Sequence, residues 1–594
     1  MPTATRSLLT INTPMAPPAW AVMQRELLRA QTAAIEAFHA KYFDERGYLR
    51  CVPRWGGDDG ADDAAENFTS WTLLYALGAD QSVLDRYLNA WEGHLRQYTE
   101  AKTVEVEFAR DGMYFKEFPV MFDWGHNGEG FNAFYLQGLC TPDDHAFQSR
   151  TRRYAGFYMD EDPIAKNYDP RHRVIRSMFN GSRGPLMRKA TALDWTGDRI
   201  EIEGRFKPGH RETSYEQMLA HFAEYNDVVG DHPLNLQTTT LAINAYMIAG
   251  ETKYRDWIIE YVGAWKERTE ANGGIIPTNV GLDGTPGGAA DGRWWGSTYG
   301  WGFSIDDYLN PGSGGRFHRH MFIERAPRGF GNALMVTGDQ GYADTWRGVI
   351  DGVNANAKVI DGRTMYPQNY GEEEGEPGWY NYAPEPYTNG AMPVWFWSMN
   401  DADKKLIAGD EWVRYLGGDN PGFPVESLQR EFSELRTRVE RMHRDTSSPD
   451  TRMSDDPMGA NPAVVTALTQ QMLGGLETSH YGFPVYSRLR YFDPERRRAG
   501  IPPNVAALVD SMSDTEVAVT LVNLDQADAR TVVVQAGAYG EHRFGQATAG
   551  SARATVDRPH VRVRLEPGCG ERIVFAQSRY TEQPTFTFPW DRAE

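Results

Sequence analysis

A histidine, an asparagine and a glutamate lie within four residues of one another in the segment FDWGHNGEGF, at positions His126, Asn127 and Glu129. Histidine takes up or releases a proton near neutral pH, so His126 is a candidate general base or acid. Asn127 could hydrogen-bond a substrate carboxylate, and Glu129, which we expect at a helix start, could orient either side chain. The alternative is a loop histidine bonded to a backbone carbonyl. We therefore predict a proton-transfer site here and assign all three residues to it.

Acidic residues crowd the segment RWGGDDGADDAAENF at positions 54–68: Asp58, Asp59, Asp62, Asp63 and Glu66. Acids near a helix N-terminus are favoured by the helix dipole and by unpaired N–H groups, which explains part of the cluster. Five acids exceed what capping needs, so active-site acids are the second interpretation, with Asp58 and Asp59 as substrate-binding residues. Calcium is a third, although the spacing is not that of an EF-hand loop.

The segment VVGDHPLNL contributes Asp231 and His232, directly before a proline. We expect Asp231 to cap a helix, and an aspartate cap by itself is structural. The pair is also a candidate catalytic set if His232 faces a crevice.

Residues 272–303 form a long segment rich in Gly, Trp and Tyr that follows an amphipathic helix. The flat apolar faces of Trp and Tyr suit sugar rings, and a long ordered loop is usually functional. We predict a substrate-binding rim here, supplemented by a tyrosine of the segment NYAPEPYTNG; its residues are Arg293, Trp294, Trp295, Trp301 and Tyr382. Tyr299 is the candidate proton donor and acceptor of an elimination reaction; the alternative is a packing tyrosine.

A second loop, residues 171–189, concentrates positive charge in a chain of net charge −20. Arginine binds carboxylate or sulfate through two parallel hydrogen bonds. We therefore assign Arg176 and Arg183 to the binding of an anionic substrate. The alternative is a solvated loop whose arginines pair with acids of the protein body.

These segments interrupt a pattern that is otherwise helical from about residue 20 to about residue 474. Apolar residues recur three and four positions apart, as in residues 21–43, 66–78, 81–101 and 251–271. Two stretches, NAYMIAGETKYRDWIIEYVGAW and NALMVTGDQGYADTWRGVIDGV, share a helix, an acidic Gly turn, a tyrosine and a second helix, and YALGADQSVLDRYLNAW is a looser copy. Repeated helical hairpins with long irregular loops favour a closed (α/α) toroid over an open solenoid.

The pattern changes to period two after about residue 484. Six alternating runs, the clearest being EVAVTLVNL, predict a small antiparallel β-sandwich over residues 485–594. The predicted organisation is a toroid domain over residues 1–484, with an inserted hairpin or lid near residues 160–213, followed by the sandwich.

An (α/α) toroid with TGDxxY-type turns and a following β-sandwich resembles the carbohydrate-active toroid enzymes. These include polysaccharide lyases of the chondroitin, alginate and heparinase type and several glycoside hydrolases. The residues that carry the resemblance are the turns GETKY and GDQGY, the dipeptide His126-Asn127 and the tyrosine of GSTYGWGF. Because one fold hosts many functions, the resemblance implies a class of enzyme and leaves the reaction to the site residues.

Composition and motifs exclude several other functions. The negative charge argues against nucleic acid or an anionic membrane as the partner. Cys51, Cys140 and Cys569 are far apart and are expected to be free thiols. No nucleophile elbow, phosphate-binding loop or dinucleotide fingerprint is present.

Residues 1–20 contain no apolar run typical of a signal peptide, so we expect a cytoplasmic protein, or a periplasmic or secreted one if a leader has been removed.

The leading prediction is a lyase that cleaves a uronate-containing glycan by β-elimination. His126 and Tyr299 would move the protons, while Asn127 and Arg176 or Arg293 would neutralise the carboxylate. A glycoside hydrolase is the first alternative, with Asp58 or Asp59 acting together with Glu129 or Asp231. A non-catalytic glycan-binding protein is the second. The substrate is an anionic or neutral glycan, no cofactor is required, and calcium is the metal that the acids would allow.

Overall fold

The computed structural model describes residues 8–55, 60–111, 114–115, 118–119, 124–197, 214–223, 227–298, 300–301, 325–372, 375–478 and 482–592. Within them, the α-helices are α1 Ala19–Tyr42, α2 Ala61–Glu66, α3 Trp71–Leu77, α4 Gln81–Glu100, α5 Trp124–Tyr135, α6 His145–Phe157, α7 Ala192–Thr196, α8 Tyr215–Phe222, α9 Thr239–Ala249, α10 Thr252–Ala271, α11 Ala326–Thr337, α12 Gly341–Asn354, α13 Ala391–Ser398, α14 Glu411–Leu416, α15 Phe423–Arg444 and α16 Thr466–Leu468. A 3-10 helix, Pro233–Thr238, runs directly into α9.

The strands are β1 Leu8–Ile11, β2 Tyr114–Phe115, β3 Phe118–Pro119, β4 Tyr168–Asp169, β5 Val174–Ile175, β6 Asn180–Gly181, β7 Gly184–Pro185, β8 Lys358–Ile360, β9 Arg363–Gly371, β10 Gly378–Ala383, β11 Leu489–Asp493, β12 Arg498–Ala499, β13 Val505–Met512, β14 Glu516–Asn523, β15 Arg530–Ala536, β16 Arg543–Ala549, β17 Ala552–Arg558, β18 His560–Leu565 and β19 Gly570–Ser578. All six alternating runs predicted within residues 485–594 form strands. Helix α10 begins one residue after the predicted start, and α4 ends one residue before the predicted end.

The helices close into a ring. Along the chain, α3 packs on α4, α2 on α5, α6 on α9, α9 on α10, α10 on α11 and α11 on α12, and the long helix α15 returns to pack against α1. The apolar stripe of each helix is therefore covered by its neighbours, which is what closing an array of hairpins achieves. The predicted (α/α) toroid is confirmed.

Two five-stranded sheets form the C-terminal sandwich. One has the order β1-β18-β15-β11-β12 and the other the order β13-β14-β19-β16-β17. All pairings in these sheets are antiparallel except that of β1, which lies parallel to β18 with Leu8 opposite Arg562. Strand β1 falls in the segment that we assigned to the toroid domain, so the boundary at residue 484 does not separate all strands from all helices.

The repeated Gly turns show which end of the ring carries the sandwich. Gly78, Gly250 and Gly338 follow α3, α9 and α11 with φ angles of 122°, 70° and 71°, which glycine tolerates. A Cβ atom at these positions would collide with Ile501, Gln583 and Tyr580 respectively, so the turns lie against the C-terminal region. The N-termini of α3, α9 and α11 consequently point to the opposite end of the ring.

The loops at that opposite end include a three-stranded sheet of order β10-β9-β8 that the sequence analysis did not predict. Most tryptophans pack in the hydrophobic core. Eleven of those among the described residues have less than 2% of their surface exposed. The three cysteines are free, as predicted. None of the described helices combines the length and the apolar character that crossing a bilayer requires.

Candidate active site

Helices α2 and α5 pack against each other and bring together a cluster of ionisable side chains. Asp62 and Glu66 are four residues apart on α2, and His126 and Glu129 are three apart on α5, so each pair shares a helix face. One ligand atom from each of Asp62, His126 and Glu129 lies within 4.8 Å of the other two. We refer to Asp62, Glu66, His126 and Glu129 as the α2–α5 cluster.

Burial and mutual repulsion set the protonation of this cluster. Burial raises the pKa of Asp62 to about 7, the charge of His126 opposes this rise, and the charge of Glu129 adds to it. The pKa of Glu66 is raised well above its usual range, again by burial first and then by Glu129 and Asp62. A carboxyl group that keeps its proton near neutral pH can donate it to a substrate, which is the property of a general acid.

Two buried side chains in the cluster region carry polar atoms without a hydrogen-bond partner among the described residues. Oδ1 of Asp62 and both amide atoms of Asn127 make no hydrogen bond to any described residue, although both side chains are buried. An unsatisfied buried polar group costs free energy, and such groups recur where a ligand completes the bonding. Asn127 directly follows His126 on α5, and its role in bonding a substrate carboxylate stays a prediction.

The donor set of Asp62, His126 and Glu129 could also hold a divalent cation. A histidine nitrogen with two carboxylates suits zinc, manganese or iron, whereas calcium prefers oxygen ligands throughout. The calcium predicted for the acidic segment therefore stays a prediction, and the donor set itself favours a transition metal over calcium.

Asp231 is the centre of a buried hydrogen-bond network. Its carboxylate accepts bonds from the backbone N–H groups of Ile175 and His232, the amide of Asn235 and the hydroxyl of Tyr261, at 2.9 to 3.0 Å. Burial raises its pKa to about 6, while Arg268 and these donors act in the opposite direction. The four partners lie on three segments, β5, the residues 232–235 and α10, and favour a structural role for Asp231; its catalytic role stays a prediction.

His232 connects this network to the aromatic loop. Its Nδ1 lies 3.0 Å from the carbonyl oxygen of Thr278 and 3.1 Å from Oγ of Ser297. Because a carbonyl only accepts, Nδ1 carries the proton, and the lone pair of the neutral ring is on Nε2. His232 precedes the 3-10 helix Pro233–Thr238, which packs against α5. The described candidates from α5 and from this helix therefore share one end of the ring.

An aromatic cluster borders the same end. Trp294 lies 4.6 Å from Tyr370, measured between ring centroids, and Tyr370 lies 5.0 Å from Trp379 on the neighbouring strand β10. Trp295 completes the cluster at 5.5 Å from Tyr370. These four rings are half-buried, so part of each faces solvent. The sequence analysis missed Tyr370 and Trp379, because short strands rich in Gly and Tyr give a weak signal.

Two other predicted rim residues have different surroundings. Trp301 is wholly buried, donates to the carbonyl oxygen of Ile276 and packs on Trp379, a position that favours support of the rim over ligand contact. Tyr382 lies towards the end of β10 beneath Lys358, whose nitrogen is 4.5 Å from the ring centroid.

The predicted anion-binding arginines make contacts within the protein. Arg183 forms an exposed ion pair with Asp111, Arg176 donates to the carbonyl oxygen of Lys166, and exposed Arg293 donates to that of Ala290. Arg173 and Arg188 pair with Glu267 and Asp194. Arg173, Arg183 and Arg188 are thus paired with acids, as in the alternative interpretation, whereas Arg176 and Arg293 contact backbone carbonyl oxygens; their role in anion binding stays a prediction.

Some predicted residues lie outside the described part of the chain: Asp58, Asp59, Tyr299 and the alternating run at 200–206 that we interpreted as a hairpin or lid. Their roles stay predictions. Two positions on α5 can be compared with the sequence analysis. Glu129 lies inside the helix and not at its start as expected, and His126 is helical, unlike the loop histidine of the alternative interpretation.

The fold and site define a toroid–sandwich protein with a cluster of ionisable side chains at the end of the ring away from the sandwich. The chain belongs to the family described as Domain of unknown function (DUF8034), whose model matches residues 8–411. No curated protein matches the sequence.

Solved structures with similarity to the chain are distant. The GH76A α-1,6-mannanase from Salegentibacter sp. HEL1_6 is 11% identical, with a TM-score of 0.28 over 75% of this chain and 98% of that one. Cellobiose 2-epimerase from Spirochaeta thermophila is 14% identical, with a TM-score of 0.22 over 63% and 92%. A GH127 β-arabinofuranosidase is 10% identical, with a TM-score of 0.24 over 96% and 82%.

Proposed function

We propose that this protein is a carbohydrate-active enzyme that hydrolyses a glycosidic bond with the carboxyl groups of the α2–α5 cluster. The observation that supports this proposal is the approach of Asp62 and Glu129 to within 4.8 Å of each other and of His126. Glycosidases use two carboxyl groups, one as an acid at the leaving oxygen and one as a base or nucleophile. A half-buried aromatic cluster at the same end of the ring supports a sugar as the substrate.

The environments of the two carboxyl groups suggest how the roles divide. Asp62 is buried and its raised pKa keeps it protonated near neutral pH, so we assign it as the general acid. Glu129 is half-buried and is assigned as the nucleophile. Inverting enzymes need roughly 6.5–9.5 Å between the carboxyl groups to admit a water molecule, whereas retaining enzymes need about 5–5.5 Å. One carboxylate oxygen of Asp62 and one of Glu129 lie within 4.8 Å of each other, which leaves less room than an inverting enzyme needs, so we infer retention of the anomeric configuration.

The first test is a panel of neutral and uronate-containing glycans incubated with the purified protein. We expect new reducing ends without ultraviolet absorbance from a carbon–carbon double bond, and the first product seen by NMR should keep the anomeric configuration of the substrate. Inversion would contradict the assignment of Glu129 as nucleophile. Reducing ends absent from the whole panel would favour the non-catalytic glycan-binding alternative.

Elimination is the second candidate, and a specific observation favours it. His126 adjoins Asn127, whose buried amide has no partner among the described residues and could bond a uronate carboxylate. His126 would then take the C5 proton. Absorbance rising together with reducing ends on uronate glycans alone would establish this reaction and would overturn hydrolysis. The paired arginines of the 171–189 loop give this candidate less support than the sequence did.

Removing one ring of the aromatic cluster should weaken substrate binding without disabling the chemistry. We expect Trp294→Ala and Tyr370→Ala to raise KM roughly tenfold with kcat nearly unchanged, because a stacking contact is worth about 0.5–1.5 kcal/mol beyond its buried area. Tyr415→Ala is the matched control, since Tyr415 is half-buried on α14, stacks on Phe423 and lies near Arg572 of the sandwich. An equal KM increase in Tyr415→Ala would show that the effect is not local.

A further inference from the structure

The sandwich contains a cavity of about 640 Å³ that the proposed hydrolysis does not use. It is lined by residues of β15, β16, β17 and β18 and by the C-terminal segment 582–592. This segment includes Gln583, which lies against the Gly250 turn, so the cavity belongs to the end of the molecule opposite the α2–α5 cluster. A cavity of this volume accommodates a ligand of roughly one or two sugar rings.

Positive charge dominates the lining. Arg543, Arg558, Arg562 and Arg592 line the cavity together with a single acid, Glu582. That acid is already engaged, because Arg543 binds Glu582 at 2.6 Å and Asp557 at 3.2 Å. The chain has a net charge of −20, so a group of four arginines with one glutamate gives this cavity a local charge opposite to that of the whole protein.

Two of these arginines have no carboxylate partner. The side chain of Arg558 makes no ion pair or hydrogen bond with any described residue. Arg592 donates Nε to the carbonyl oxygen of Thr587, at 2.9 Å, and another nitrogen to the side-chain oxygen of Gln535, both of them neutral acceptors. Burial lowers the pKa of Arg592 to about 10, against the charges of Glu541 and Glu582, which raise it without forming an ion pair with it.

His560 lies among the same arginines. Its Nδ1 is buried and has no hydrogen-bond partner among the described residues. Burial first, and then the charges of Arg592, Arg558 and Arg562, lower its pKa to about 4. An unpartnered ring nitrogen beside Arg558 and Arg592, neither of which forms an ion pair with a described residue, is a donor arrangement that a bound anion would complete.

We propose that this cavity binds a small-molecule oxyanion, carrying phosphate, sulfate or carboxylate, with Arg558, Arg592 and His560 as its ligands. The oxyanion would supply acceptor atoms to Arg558 and His560 and an ion-pair partner to Arg558 and Arg592. Arginine forks match the geometry of such oxyanions. The half-buried ring of Trp590 gives the same cavity an apolar wall, which suits an organic anion better than a bare ion. This site is independent of the proposed hydrolysis.

The test is calorimetric titration of the full chain with inorganic phosphate, inorganic sulfate, glucose 6-phosphate, glucuronate and glucose. We expect the anions to bind, glucose not to bind, and glucose 6-phosphate to bind more tightly than inorganic phosphate. Arg558→Gln should weaken binding at least tenfold. Arg553→Gln is the matched control, because Arg553 is an exposed arginine on the same strand, does not line the cavity and carries the same charge.

Circular dichroism and the thermal midpoint of Arg558→Gln establish that the variant is folded. Equal weakening in Arg553→Gln would overturn the proposal, since it would reduce the effect to net charge. Binding of every anion only above roughly 100 mM, where ionic screening is strong, would overturn it as well. If inorganic phosphate and sulfate bind as tightly as the sugar anions, the oxyanion site stands and the apolar wall has no role in recognition.

Discussion

Glu129→Gln is expected to lower kcat by at least about 10³-fold on the glycan that the panel identifies, and Asp62→Asn to lower it by roughly 10²–10⁴-fold. Each substitution keeps the shape of the side chain and removes its ability to exchange a proton or attack carbon. Initial rates of reducing-end release measure the effect. With Asp62 as the acid, the wild-type rate should also fall above about pH 7, where Asp62 loses its proton.

Asp62→Asn should at the same time stabilise the protein at alkaline pH. The folded protein holds a proton on Asp62 up to about pH 7, whereas the unfolded chain releases it near the ordinary value of 3.8. Stability therefore decreases as pH rises through this window, by about 1.4 kcal/mol for each unit of raised pKa. Asp62→Asn has no carboxyl group to ionise, so its free energy of unfolding does not show this decrease. Urea unfolding should give equal free energies at pH 4 and a more stable variant, by a few kcal/mol, at pH 8.

Asp63→Asn is the matched control for both measurements, because Asp63 is the next residue on α2 and the charge change is the same. We expect its rate to stay within a few-fold of wild type. Two outcomes would contradict the assignment. An Asp62→Asn variant with unchanged kcat would exclude Asp62 as the acid. Loss of wild-type activity in EDTA, restored by zinc or manganese, would make the same side chains ligands of a metal.

The second large effect concerns Asp231. Replacing it by alanine is expected to lower the free energy of unfolding by about 3–5 kcal/mol, because four buried donors lose their acceptor at once. Asp231→Asn should cost less, since its amide oxygen still accepts two of these bonds. Urea unfolding at pH 8, above the raised pKa of Asp231, gives the comparison with the carboxylate fully ionised.

Asp339→Ala is the appropriate comparison for Asp231→Ala. Asp339 is an exposed carboxylate that accepts one hydrogen bond from the backbone N–H of Gly341, so its loss should cost at most about 1 kcal/mol. If Asp231→Ala is as stable as wild type but inactive, Asp231 acts in the reaction and the structural interpretation of its network is wrong.

Much of the fold follows from periodicity. Long helices such as α4, α10 and α15 carry an apolar stripe that identifies them, and the alternation of β14 identifies the sandwich. Strand β1 could not be predicted in the same way. It has four residues, and its partner β18 lies some 550 positions further along the chain. Pairing at such a distance leaves no local trace in the sequence.

The individual residues of the α2–α5 cluster could be identified from the sequence, but their proximity in space could not. The sequence identifies His126, Glu129 and the acidic segment, but helix capping and catalysis place acids at the same positions. Only the packing of α2 on α5 shows that Asp62 and Glu66, instead of their neighbours, face His126 and Glu129. For the arginines of residues 171–189, by contrast, the sequence predicts substrate binding more strongly than the structure supports it. Their charge is visible in the sequence, but their partners Asp111, Asp194 and Glu267 are not.

The contacts between the two ends of the chain also delay part of its folding until synthesis is nearly complete. Helix α1 emerges from the ribosome early and finds α15 only about 400 residues later, and β1 must wait for β18. At 5–20 residues per second, the first helix spends at least about 20 s with its apolar stripe uncovered. A chain stopped at residue 411, the end of the family match, would lack both α15 and β18. Such a fragment is therefore expected to be retained by chaperones instead of released as a folded domain.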